Sequence, residues 1–194
     1  MGASAALHLV LASQSPRRLA LLGQVGIVPC EVAAADVDES AGKRELPRDL
    51  VLRLAEAKAA AVAQGRPDAL VLGADTVVAC GRRVLPKPAD EAEARACLDL
   101  LSGRRHVVHG GVCAIAAGRR HRRHVATRVA FKRLSAEEID AYLESGEWRG
   151  KAGGYAIQGR AAAFVRFVNG SYSNVVGLPL YETVQLLRGL GCAP

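Results

Sequence analysis

The sequence predicts an α/β protein built on a mixed sheet, and three observations carry that reading. Apolar strand-like runs alternate with helical stretches along the chain, as in α/β folds. One clear hairpin interrupts the alternation near Gly118, which a uniformly parallel sheet would not contain. Finally, the 194 residues, half of them apolar, suffice for one core, and no linker, repeat or low-complexity tract divides them. The whole chain, 1–194, is therefore read as a single domain with room for two lobes.

The elements follow in order. LHLVLA reads as a buried strand, after which Ser15 can cap a helix whose first turn suits Pro16. IVPCEVAAADVDE is expected to be a strand running into an acidic turn. Residues 46–64 form an alanine-rich helix, begun by Pro47 and stopped near Gly65 and Pro67. DALVLGADTVVAC is a continuous apolar strand broken by Gly73 and Asp75, and a carboxylate inside a buried-strand pattern asks for a reason. A short return spans residues 82–85, and ADEAEARACLDLLSG is an amphipathic helix ending at Gly103. The long strands HVVHGGVCAIAAG and HRRHVATRVAFKRL pair about Gly118. Ser135 opens a further helix with the capping-box pattern S-A-E-E. AAAFVRFVNGS reads as a strand, and LPLYETVQLLRGLG, with Pro179 near its start, as the closing helix.

Composition narrows the function. No apolar run approaches a membrane span, and the amino-terminal residues lack the basic start of a secretory signal and the hydroxyl of a myristoylation site, so a cytoplasmic, membrane-free protein is expected. The five cysteines lie far apart without a C-x-x-C pair, which suggests reduced thiols. A formal charge of +7 favours anionic partners. With one Trp, four Tyr and three Phe there is little to stack a run of bases, so nucleic acid is the minority reading.

Several residues carry chemistry. LASQSPRR places hydroxyls and the guanidiniums of Arg17 and Arg18 at a helix mouth, where free N–H groups and the dipole favour an anion. The same residues also fit an ordinary capped helix with a solvated arginine pair. Asp75 can bind a divalent metal or orient water, or be satisfied by backbone amides. Asp38 and Glu39 could share that metal or form a solvated turn. Lys58 reads by default as a solvated helix position, whereas Lys87, between two prolines in LPKPAD, has a fixed origin and is the more suggestive phosphate ligand. His106 and His109 belong to a strand, so their spacing puts them on opposite faces and argues against a metal pair. The basic run around His121 and His124 reads as a solvated hairpin tip.

LASQSPRR, LAEAKA, GADTVV, LPKP, LSGRRHVVHGGV, KAGGYAIQG and NGSYSNVVGLPL, in this order and spacing, resemble the Maf family of nucleoside triphosphate pyrophosphatases over nearly the whole chain. The resemblance implies a Maf/Ham1-like α/β fold, with two lobes around an elongated mixed sheet, flanking helices and a central nucleotide cleft, often as a homodimer. It also implies hydrolysis of a nucleoside triphosphate to monophosphate and pyrophosphate with a divalent cation, Mg²⁺ or Mn²⁺. The family's catalytic aspartate falls on Asp75, its phosphate-handling positions on Ser13, Arg17, Arg18, Lys58 and Lys87, and its acidic position after the second strand on Glu39, a metal ligand with Asp75 in this reading. Positions tied to substrate choice fall on Arg17, Thr76 and Gln158.

Tyr155 to Gly159 carry the Tyr-x-Ile-Gln-Gly pattern of the branch acting on dTTP and UTP, while the branch acting on 7-methyl-GTP differs there. The chemistry agrees, because a planar amide both donates and accepts, matching the carbonyl and imide edge of uracil and thymine. Two positions depart from the family pattern: Gly150, where Asp is common, and Gly110, where Thr is frequent. They leave open a pyrophosphatase for another nucleotide, such as 7-methyl-GTP, or a binding regulator of cell division without catalysis.

Overall fold

The computed structural model describes residues 8–192, so Leu7 and the amino-terminal stretch read for a leader lie outside the described residues. The elements are β1 (Leu9–Ala12), α1 (Pro16–Gln24), β2 (Glu31–Ala33), α2 (Pro47–Ala63), β3 (Leu70–Cys80), β4 (Arg83–Leu85), α3 (Glu91–Leu101), β5 (Arg105–Ala116), β6 (Arg119–Phe131), α4 (Ala136–Glu144), β7 (Val165–Asn169), α5 (Tyr172–Val176) and α6 (Leu180–Gly189). One seven-stranded sheet runs β2-β1-β3-β5-β6-β7, with β4 also paired to β3. β1 is parallel to β2 and β3, and the remaining pairs are antiparallel, which makes the mixed sheet the sequence predicts.

The long strand β3 organises everything else. Along one edge it is partnered by β1 as far as Gly73, and then by β4 from Val78 onward. Among the described residues no strand pairs with that edge between Ala74 and Val77, the stretch that holds Asp75 and Thr76. A break in an otherwise complete edge, at the carboxyl end of β1, is where open α/β sheets leave a crevice for a ligand.

Alternation along the strands assigns the helices to faces. Leu9, Leu11, Leu72 and Val112 pack with Leu21 and Leu22 of α1 and Leu186 and Leu187 of α6. Farther along the same face, Val78, Val108 and Val129 pack with Leu98 and Leu101 of α3 and with Ile139 and Leu143 of α4. Thr76 and Gly110, cross-strand partners, lie on this face between these two cores. The opposite face is covered by α2, whose Ala55, Ala59 and Val62 meet Val10, Val71 and Cys113. Gly73 and Gly111 allow α2 to lie against the sheet, since a Cβ at either would strike the carbonyl oxygens of Ala55 and Val51. Leu72 is fully buried, and its truncation to Ala is expected to cost about 2–5 kcal/mol.

Most of the expected boundaries hold. Ser135 Oγ accepts from Glu138 N at 3.3 Å and the Glu138 carboxylate accepts from Ser135 N at 3.1 Å, completing the capping box. Three expectations are corrected. The second strand ends at Ala33, because the following residues leave the sheet to carry Glu39 toward α2. Residues Arg160–Phe164 form a 3₁₀ turn, so the last strand begins only at Val165. Ser15 occupies the N-cap position of α1 without a side-chain cap bond, and its own N–H donates to Ser13 Oγ at 3.2 Å.

Candidate functional site

The site grows from the break in β3. Because side chains alternate, Asp75 points toward α2 and Thr76 toward the gap between the two cores on the other face. Two differently built regions therefore meet at one strand.

On the α2 side, Lys58 is only 9% exposed, contrary to the solvated position expected from its helix. A buried ammonium needs partners, and it has two: Asp75 Oδ1 at 2.6 Å and Glu39 Oε1 at 2.5 Å. Glu39 Oε2 in turn accepts from Lys87 at 2.6 Å, so Asp75, Lys58, Glu39 and Lys87 form a chain of alternating charge. Burial works to raise the Glu39 carboxyl, but the hydrogen bonds and charges of Lys58 and Lys87 outweigh it and hold it at about 2. Lys87, 45% exposed at the rim between its two prolines, has the fixed origin the sequence suggested. Asp38 does not join this group, since its carboxylate turns back on Ser40.

On the other side, the two arginines of α1 differ sharply. Arg18 is buried and fully engaged: Nε donates to Gly177 O at 2.9 Å, Nη1 to Ser13 Oγ at 3.1 Å and Nη2 to Thr76 Oγ1 at 3.4 Å. It ties β1, β3 and the turn before α6 together. Burial lowers its pKa, an effect that Asp75 and Glu39 oppose. Arg17 makes one contact, Nη2 to Gly150 O at 3.4 Å, and its buried Nε has no partner. Burial and neighbouring Arg18 both lower its pKa.

Arg17, Arg18, Thr76, Lys87 and Gln158 line one cleft, joined by Ser15, Lys151, Tyr155 and the backbone at Gly150 and Gly177. The adjoining hollows carry Ser13 and Lys58 on one side and Asp75 and Glu39 on the other, and Lys87 borders all of them. Ser13, Arg17, Arg18, Glu39, Lys58, Asp75, Thr76, Lys87 and Gln158 therefore line three hollows that share Lys87, and Asp38 lines none of them. Among the described residues no three potential metal ligands cluster. The two carboxylates Asp75 and Glu39 nevertheless fit a hard cation such as Mg²⁺, which commonly takes one or two carboxylates and completes its shell with water and substrate phosphate oxygens.

Three contributors were not singled out beforehand. Lys151 stands beside Arg17, and its amine is pushed down by burial and by that neighbour, against the pull of Glu147. Tyr155 packs edge-on against His106 and Phe131, and its hydroxyl meets His106 Nε2 at 2.8 Å. Asn174, fully buried, donates to Val108 O and Thr127 Oγ1, both at 3.0 Å. A Cβ at residue 110 would run into its side chain, which accounts for Gly110. The signal for Lys151 and Tyr155 was present in KAGGY, but only folding brings their partners near. The basic hairpin tip remains largely exposed, with Arg120 and Arg122 paired to Glu56 of α2, and His109 rests on His124 with ring nitrogens 3.0 Å apart.

The family model for Maf-like proteins matches residues 8–190. A dTTP/UTP pyrophosphatase of Paramagnetospirillum magneticum is 65% identical over 187 residues, covering 96% of this chain and 98% of the relative. Proteins of the same name from Sphingopyxis alaskensis and Caulobacter vibrioides are 61% and 58% identical, covering 94% and 96% of this chain and 96% and 97% of their own lengths. By this match across nearly its full length, the chain belongs to the Maf family.

Proposed function

We propose that the protein is a nucleoside triphosphate pyrophosphatase that converts dTTP and UTP to the monophosphate and pyrophosphate. The observation that carries the reading is the meeting, at the unpaired stretch of β3, of a carboxylate held by Lys58 and an arginine with an unpartnered nitrogen, below an exposed glutamine. The names of the relatives supply the base and the reaction.

In this reading the triphosphate enters along the α1 mouth and draws Arg17, Lys87 and Lys151 onto its oxygens. Arg18 contributes less by contact than by holding Ser13 and Thr76 in place. Asp75, oriented by Lys58, aligns a water behind the α-phosphorus and takes its proton as the new phosphorus–oxygen bond forms. The bond from the α-phosphorus to the bridging oxygen breaks, and pyrophosphate departs with its charge stabilised by the cations around it. Asp75 and Glu39 would hold Mg²⁺ or Mn²⁺, which when bound polarises phosphoryl oxygens and offsets their charge. Gln158 meets the uracil or thymine edge. A cytoplasmic homodimer completes the proposal, and no helix among the described residues is long and apolar enough to cross a membrane.

The test is product release from dTTP, UTP, CTP, GTP, ATP and 7-methyl-GTP with Mg²⁺ or Mn²⁺. Turnover concentrated on dTTP and UTP supports the proposal. Turnover of a different base reassigns the pocket, and none of any base overturns the reaction.

A further inference from the structure

Gln158 sits at the tip of a turn, and the turn is held from both sides. Its own closing bond runs from Gly159 N to Ala156 O at 3.0 Å. At the entry, Ala156 N donates to the Tyr142 hydroxyl at 3.0 Å, inside the core. At the exit, Arg160 N donates to Glu147 Oε2 at 2.8 Å. A Cβ at residue 159 would displace that same carboxylate from its place. Glu147 is half-buried at the rim, outside the apolar clusters, so packing alone gives it no reason to be acidic.

Glu147 also belongs to a second tight structure. Residues 146–150 turn between two glycines with positive φ, 69° at Gly146 and 65° at Gly150. The middle is fixed by Trp148, buried, whose Nε1 donates to Leu143 O at 3.1 Å, and by Arg149 lying 4.4 Å from the centre of its ring. The far end presents the Gly150 carbonyl to Arg17. One short turn thus braces the Gln158 turn at one end and at the other reaches Arg17 through a single long, exposed hydrogen bond, the groups meeting the base and the phosphates in the proposed function.

We propose that Glu147 is a positioning residue for specificity, fixing the separation between Gln158 and Arg17 so that only a base with an imide edge reaches the glutamine when the triphosphate is seated. The inference rests on the pyrimidine reading of Gln158. A loose turn would let the amide rotate and shift, and a polar reader discriminates only while mismatched bases leave its groups unpaired. Seating the phosphates does not require Glu147, so its loss falls on the choice of base and on KM more than on kcat.

The experiment compares kcat and KM for UTP and CTP in the full-length protein, because cytosine reverses the hydrogen-bonding pattern at the edge in question. Glu147→Ala is expected to lower the ratio of kcat/KM for UTP over CTP by about tenfold, chiefly through KM for UTP. Glu147→Gln, which keeps an acceptor oxygen, should stay within about twofold of the parent. Gly159→Ala displaces the carboxylate without removing it and should lower the ratio in the same direction, which keeps the test intact if Glu147→Ala folds poorly. Adding Glu147→Ala to Gln158→Ala should change the ratio no further. If Gln158→Ala itself leaves the ratio unchanged, the reading of Gln158 fails and this proposal with it. A ratio collapsed by Gln158→Ala but kept by both Glu147→Ala and Gly159→Ala overturns the positioning role alone.

Discussion

On one side of β3, Lys58 stands between Asp75 and Glu39, and Lys87 closes the chain, so each charge has an opposite neighbour within hydrogen-bonding distance. Across the strand, Arg17 and Lys151 stand together with backbone carbonyls as their hydrogen-bond partners, Gly150 O for one and Arg149 O for the other. The first region is assembled and compensated before any ligand arrives. The second gathers like charges that press on one another, offset at Lys151 only in part by Glu147, and an anion would relieve them. In the proposed function, this difference lets one cleft keep its carboxylate in a fixed place while drawing the substrate by charge. Preorganisation and attraction are assigned to opposite faces of a single strand.

The sharpest way to break the compensated side is Lys58→Met. It leaves Asp75 buried without its cation, which is expected to cost about 3 kcal/mol in denaturant unfolding and about a hundredfold in turnover. A variant as stable and active as the parent would mean that the alternating chain is incidental.

The arginine pair offers the next contrast. Arg17→Ala should raise KM about tenfold with little change in unfolding, because its one hydrogen bond is long and exposed. Arg18→Ala should also lower stability by about 1–3 kcal/mol, since Ser13, Thr76 and the Gly177 carbonyl lose a shared buried partner. Equal stability losses in the two variants would erase the distinction drawn between them.

The last contrast concerns pH and separates the regions once more. Burial lowers the His106 pKa from 6.5 to about 4, so the stability it lends is full above pH 6.5 and fades as pH falls toward 4. A gap of that size corresponds to about 3 kcal/mol for a fully buried ring. Glu39 acts in a lower window: its contribution is present above pH 4.5 and is lost toward pH 2. Replacing His106 with Gln should therefore flatten the fall in thermal midpoint between pH 6.5 and 4 and leave the steeper acid limb unchanged. Because burial and His124 also lower His109, some slope should persist in the variant. An unchanged profile would remove His106 from the account.

Much of this was legible from the residues. Hydrophobic periodicity and punctuation placed nearly every element, because burial on one face leaves a periodic trace, and Asp75 stood out because a carboxylate in an apolar strand breaks that trace. What local pattern could not report was the partner. Lys58 looked solvated because a helix read alone shows the spacing of a charge and not the Asp75 and Glu39 that descend on it from β3 and a loop. Gly110 looked like an oddity until Asn174, more than sixty residues on, was seen to fill the space above it. The 3₁₀ turn at Arg160–Phe164 was hidden for a related reason: AAAF suits a strand, and the Glu147 carboxylate that takes the Arg160 N–H at the start of the turn is distant from it in local pattern.

The most direct test of the central claim is UTP hydrolysis in heavy-oxygen water by the parent and by Asp75→Asn, with the products weighed by mass spectrometry. Attack at the α-phosphorus predicts the label in the monophosphate and none in pyrophosphate, with turnover lowered by at least about a thousandfold in the variant. Label in the pyrophosphate, or a variant that turns over like the parent, would contradict the role assigned to Asp75 at the break in β3.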